Sequence, residues 1–158
     1  MKRNALSTKH TRRRERGIQL IEVVLVMPLL LLLLAATAEF GRYFYTYAAL
    51  TRATEISVRY LSSRLLTDGE KATAKALAAC GKTACGNSDT RVASGLEPSD
   101  VTVTTLLGEG SATRPERVTV SITYNGYQPV FNLANWVGGS WSSLTMTTST
   151  TMRYLLED

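Results

Sequence analysis

The chain has 158 residues and a formal net charge of +5, a length that suits one ordinary domain. The charge is confined to one end. Residues 1–17 hold seven Lys or Arg against Glu15, a net of +6, while the other 141 residues carry eleven basic and twelve acidic side chains, a net of −1. This argues against a nucleic-acid-binding globule, which needs a basic face on its folded part.

The basic tip is followed by an apolar run. Residues 18–38 contain only Gln19, Glu22 and Thr37 as polar interruptions. As a helix, 21 residues span about 30 Å, the thickness of a bilayer core. The positive-inside rule then keeps residues 1–17 in the cytoplasm and sends everything after about Phe40 to the far side. Two other readings of this run stay open. An uncleaved signal anchor accepts Glu22 as incidental. A secretory signal peptide uses Ala36-Thr37-Ala38 as an A-x-A site and releases Glu39 onward. Glu22, Pro28 and the spanning length of the run weigh against the second. Cys80 and Cys85 lie on the exported side, where two close cysteines suggest one disulfide.

Beyond the membrane segment the helical pattern continues. Phe40, Phe44, Tyr47, Thr51, Thr54, Val58, Leu61 and Leu65 recur at three- and four-residue steps, the period of one helix face. Glu55 and Arg59 stand at i,i+4 in the favoured order. No proline occurs between Pro28 and Pro98. The pattern predicts one helix over residues 18–66, on the order of 70 Å long. Pro28 removes a backbone donor in its membrane half and predicts a kink there.

Thr67-Asp68-Gly69-Glu70 reads as a capping box. It predicts a second, alanine-rich helix to about Ala79, with Gly81 as its stop. The Cys80–Cys85 loop that follows is short, and its closure is worth roughly 2 kcal/mol in the chain-entropy model.

The rest reads as sheet. Residues 100–107 are rich in Val and Thr. Residues 117–124 alternate, with Val118, Val120, Ile122 and Tyr124 on one face. Residues 144–154 alternate too, with Leu144, Met146, Met152 and Tyr154 on one face. Loops fall at 108–115 and at 125–143, the latter with Pro129, Gly138 and Gly139. One-sided alternation implies one wet face and one packed face. The predicted class is α+β: a long N-terminal transmembrane helix packed on a small three-stranded antiparallel sheet, with a short second helix.

Catalysis is not expected. The single histidine, His10, lies in the basic tip, which removes a His-based triad or metal site from the exported part. No glycine-rich phosphate loop ends in Lys-Ser/Thr, and the two cysteines make neither CxxC nor a zinc set. Asp89, Glu97, Asp100, Glu109 and Glu116 lack the spacing of a calcium loop. No cofactor, metal or nucleic-acid partner is expected.

The sharpest motif lies where the basic tip meets the apolar run: Gly17-Ile18-Gln19-Leu20-Ile21-Glu22. Glu22 is an acid at the fifth position after a glycine, and intramembrane carboxylates are costly without a partner. This combination resembles type IV prepilin-like proteins. The stretch Val26-Met27-Pro28-Leu29-Leu30-Leu31-Leu32, followed by Glu39-Phe40-Gly41-Arg42 and Tyr47-Ala48-Ala49-Leu50-Thr51-Arg52-Ala53, is similar to the TadE-like family, the minor pseudopilins of tight-adherence (Tad/Flp) pilus systems. The specific likeness covers roughly residues 12–60.

The resemblance implies a pilin-like fold and cleavage by a prepilin peptidase between Gly17 and Ile18. It implies that the new N-terminal ammonium pairs with Glu22 during assembly, and that Glu39 to Arg42 mark the membrane exit. It divides the chain into a cleaved leader (1–17), a transmembrane helix (18–40), a periplasmic extension of that helix (41–66) and a globular part (67–158). Implied partners are the inner membrane, the prepilin peptidase, other pilins or pseudopilins through the N-terminal helix, and the pilus assembly platform. Glu39 and Arg42, at i,i+3, also read as an interfacial ion pair. Two alternative functions remain: a membrane-anchored adhesion or matrix-binding module, motivated by Trp136 and Trp141 around Gly138-Gly139, and a type II secretion pseudopilin.

Overall fold

The computed structural model describes residues 9–108, 115–130 and 144–155, with side chains from residue 19 onward. Trp136, Gly138, Gly139 and Trp141 lie outside the described residues. The elements in chain order are helix α1 (Lys9–Ser62), helix α2 (Asp68–Cys80), a 3₁₀ turn (Pro98–Asp100), and strands β1 (Val101–Leu107), β2 (Pro115–Tyr127) and β3 (Leu144–Arg153). The strands form one antiparallel sheet in the order β1-β2-β3. The class is α+β. The chain divides into two compact units, Met1–Phe40 and Gly41–Asp158.

Helix α1 starts earlier and stops sooner than its apolar pattern suggests. It begins at Lys9, inside the basic tip, because Lys, Arg and Glu are good helix formers and no Gly or Pro stands between Lys9 and Gly17. It ends at Ser62, four residues before the expected Leu66. The hydroxyls of Ser62 and Ser63 donate back to the carbonyls of Arg59 and Tyr60 at 2.8 and 3.3 Å, a local bond that competes with helix continuation. The Ser62 carbonyl then accepts from Leu155 N–H at 2.9 Å, which satisfies one of the orphan acceptors of the helix end.

The face of α1 that enters the core shares Thr54, Val58 and Leu61 with the expected stripe but not its aromatic members. Leu50, Ala53, Thr54, Ser57, Val58 and Leu61 are buried, whereas Phe44, Tyr47 and Leu65 are 62%, 42% and 63% exposed. Leu50, Ala53 and Ser57, beside the stripe, complete the buried face. Hydrophobicity alone favours the aromatics, so the pattern extended the stripe to rings that stay exposed.

Strand β2 carries the sheet's contribution to the core. Val118, Val120 and Ile122 are fully buried and Tyr124 nearly so, and they alternate with Thr119, Ser121 and Thr123 as the period of two requires. In β3, Met146 and Thr148 are buried while Leu144 is exposed. Thr150 shares a 2.8 Å hydrogen bond with Thr54 of α1, so a polar contact helps hold the helix on the sheet.

A bulge interrupts the β2–β3 register between Tyr124 and Tyr127. Gly126 sits in it, and a Cβ there would stand 2.7 Å from the Tyr124 ring. The Tyr124 hydroxyl donates to the Ser94 carbonyl at 2.7 Å, so the ring is tied and cannot swing aside freely. Gly126→Ala is therefore expected to destabilise the fold by about 1–3 kcal/mol through overpacking, measurable as a lowered urea midpoint.

Helix α2 starts as a half capping box. Thr67 accepts from Glu70 N–H at 3.3 Å. The reciprocal bond is not made: Thr67 N–H donates to Leu65 C=O at 2.8 Å, and the Glu70 carboxylate accepts from the Tyr60 hydroxyl. That bond, then burial, raises the Tyr60 pKa. The helix buries Ala74, Ala76, Ala78 and Ala79 and closes on Gly81, whose φ of 68° is left-handed and suits glycine.

Candidate membrane and assembly site

Within the N-terminal unit, the large apolar side chains from Leu20 to Leu34 are 41% to 71% exposed. A continuous apolar surface of this kind is not left to water by a soluble protein. The helix from Gln19 is long and apolar enough to cross a membrane, and it is a candidate span. Its polar members are few. The Thr37 hydroxyl donates to Leu33 C=O at 2.8 Å, an internal bond that suits an apolar surrounding. Glu22 is exposed on the helix among apolar neighbours. Pro28 lies inside the helix, which continues through it, and it offers no N–H to the carbonyl of Val24. Gly17 and Ile18 lie inside α1 as well.

The expected exit residues have separate surroundings. Phe40 is 64% exposed, and a Cβ on Gly41 would meet nothing within 4 Å. Arg42 belongs to the second unit and turns into it. Its guanidinium donates to the Gln128 carbonyl and stands 5.3 Å from the Tyr127 ring centre. Tyr43 meets the same ring edge-on, with centroids 5.5 Å apart. Arg42 and Tyr43 thus clamp the end of β2. Beside them lies an open groove of about 860 Å³ between Tyr45 and Ala49 of α1, the loop at 92–95 and the end of β2. Burial raises the Tyr124 pKa at its edge.

The two cysteines are joined in the structure, with Cα atoms 5.9 Å apart, inside the usual range for a disulfide. The loop they begin is tied by Asp89, which accepts from Lys82 and from Gly86 N–H at 2.7 Å. The Lys82 bond, then the Gly86 bond, lowers the Asp89 pKa below its ordinary 3.8. A depressed carboxylate stabilises the fold above its unfolded pKa, and the effect is lost as pH falls through the lower folded value. Asp89→Asn should therefore loosen this loop at neutral pH. The difference from wild type should vanish at acid pH below the Asp89 pKa, as followed by limited proteolysis.

Among the described residues, no group of three or more His, Cys, Asp or Glu side chains stands where it could hold a metal ion. The long helix carries the candidate site. Residues 17–59 match the family model described as TadE-like protein. This segment is TadE-like. The match begins at Gly17, takes in Glu22, Pro28 and Glu39 to Arg42, and stops before α2, both cysteines and the sheet. Neither a curated protein nor a solved structure matches the chain. The TadE-like match associates the chain with the Tad pilus system, whose TadE-like proteins are structural.

Three contacts of the chain had no signal in periodicity. Arg42 reads as an interfacial charge, yet it bonds the carbonyl of Gln128, 86 positions away and just past β2. Glu70 reads as a capping residue, yet it binds Tyr60. Arg91 carries no motif, and it reaches both cysteine sulfurs. Each is a long side chain whose partner is set by tertiary folding.

Proposed function

We propose that this protein is a minor pseudopilin of a Tad/Flp pilus. It is anchored in the inner membrane by α1, with the basic tip in the cytoplasm and the α+β unit in the periplasm, and it takes part in initiating, capping or regulating the fibre. The observation that carries this reading is the TadE-like match over residues 17–59, which begins at the glycine between a +6 tip and an apolar helix bearing Glu22.

The proposed chemistry follows from that junction. Gly17 is the weakest helix former in its stretch, so the helix opens there at least cost when a prepilin peptidase needs an extended backbone. Cleavage after Gly17 creates a positive α-ammonium at Ile18, one turn from Glu22. The two charges, on one subunit or on neighbours, offset the cost of each in lipid. Pro28 gives the membrane half a point of bending as subunits pack. Membrane, prepilin peptidase, other pilins and the assembly platform are the partners of this reading.

The exposed faces of α1 support subunit contacts. Phe44 and Tyr45, 62% and 78% exposed, lie off the core face and are available to neighbouring helices. Gly41, with open space around it, allows close approach of another backbone.

The test is the mature N-terminus. Co-expressed with its prepilin peptidase, the protein should lose residues 1–17 and start at Ile18 by mass spectrometry. An intact leader refutes the cleavage reading. A start at Glu39 would instead identify a secretory signal peptide.

A further inference from the structure

The Cys80–Cys85 bond sits at the end of α2, and one terminal nitrogen of Arg91 stands 3.1 Å from Cys80 Sγ and 3.2 Å from Cys85 Sγ. The Arg91 side chain is only 15% exposed, and its other terminal nitrogen lies 3.2 Å from Glu97 Oε2. Val92 N–H donates to Ala79 C=O at 2.8 Å, so the guanidinium is presented from a backbone pinned to the helix that carries Cys80. Both cysteines are half-buried, and the residues around Cys85 in the loop are exposed, which leaves the bond open to attack.

A disulfide is neutral and its sulfurs are weak acceptors. A thiolate at the same place is a full negative charge, and a guanidinium at this distance stabilises it far more. The last turn of α2 has no basic residue, and a helix C-terminus disfavours an anion, so Arg91 supplies the compensating charge. The arrangement favours the reduced, charged form over the oxidised, neutral one.

We propose that Cys80–Cys85 is a thiol–disulfide exchange site, with a dithiol reductant as its co-reactant and Arg91 as the group that receives the departing thiolate. One thiolate of the dithiol bonds to one cysteine sulfur, and the S–S bond breaks. The electron pair leaves on the other sulfur, and Arg91 reaches that sulfur whichever is attacked. The second thiolate of the dithiol then attacks its own sulfur in the mixed disulfide and closes a cyclic disulfide. The remaining cysteine is released and takes up a proton. The protein gains two electrons and the dithiol loses two.

The experiment uses the full chain in detergent micelles, equilibrated in dithiothreitol redox buffers, with the reduced fraction read by thiol alkylation and mass spectrometry. Arg91→Gln should shift the equilibrium about tenfold away from the reduced form, and Arg91→Lys should recover most of that loss. Glu97→Gln, which frees the guanidinium from its carboxylate, should shift the equilibrium the other way. In the reduced wild type, the iodoacetamide alkylation rate should titrate below the ordinary cysteine value of about 8.5. An ordinary pH profile overturns the proposal, as does a Glu97→Gln shift in the same direction as Arg91→Gln. If Arg91→Gln does not fold, the wild-type profile and Glu97→Gln decide.

Discussion

Leu61→Ala is expected to lower the stability of the Gly41–Asp158 unit by about 2–5 kcal/mol, the range for removing a fully buried leucine. Leu61 has no exposed surface and belongs to the same buried cluster as Val58, Val101, Val118, Val120 and Ile122. It therefore joins the helix to the sheet, and truncation leaves a cavity that both elements line. Leu65→Ala is the matched control. Leu65 lies three residues past the end of α1 and is 63% exposed, so its loss should stay within about 0.5 kcal/mol. Urea unfolding of the full chain in detergent measures both. Equal effects would mean that burial does not separate Leu61 from Leu65, which share the stripe read from periodicity.

Glu22→Ala should abolish assembly while leaving membrane insertion intact or improved. Insertion improves because a carboxylate leaves the apolar run. Under the proposed cleavage after Gly17, assembly fails because the ammonium created at Ile18 loses its partner. A charge-assisted bond worth ~1.5–3 kcal/mol corresponds to roughly 10- to 100-fold in an association constant. Glu22→Gln separates charge from shape: it keeps the size and the acceptor and should fail almost as badly. Membrane fractionation reads insertion, and recovery of the protein with sheared pili reads assembly. Normal incorporation of Glu22→Ala would make the carboxylate incidental and leave a plain membrane anchor.

The two predictions differ in where their evidence lies. The Glu22 argument is legible in the one-dimensional pattern, because a bilayer imposes a length and a cost on each charge irrespective of the rest of the fold. The TadE-like match covers that same stretch, residues 17–59. The Leu61 argument is partly legible: periodicity puts Leu61 and Leu65 on one stripe, and the structure shows that Leu61 is buried and Leu65 exposed. Along α1 beyond residue 40, rings and small residues alternate around the helix, and hydrophobicity ranks the rings first. In the fold Leu50, Ala53, Thr54, Ser57, Val58 and Leu61 are buried and Phe44 and Tyr47 stay exposed.

Other elements divide in the same way. The strands were readable because Val118, Val120, Ile122 and Tyr124 alternate with hydroxyl residues, and a half-buried strand must repeat every two residues. The stop of α2 was readable because Gly81 tolerates the left-handed turn. The strand lengths were less so. Strand β2 runs from Pro115 to Tyr127, beyond the alternating 117–124, because bulges at each end absorb residues out of phase.

By itself, then, the sequence determined the charged tip, the membrane-length helix, the class α+β and the position of the candidate assembly motif. These depend on local periodicity and on the fixed thickness of a bilayer. Only the tertiary structure decided which face of α1 enters the core, that Arg42 grips the end of β2, that Glu70 leaves its capping role for Tyr60, and that Arg91 lies against both cysteine sulfurs. Packing and charge pairing of this kind, between side chains from 6 to 86 positions apart, leave no periodic trace in the sequence.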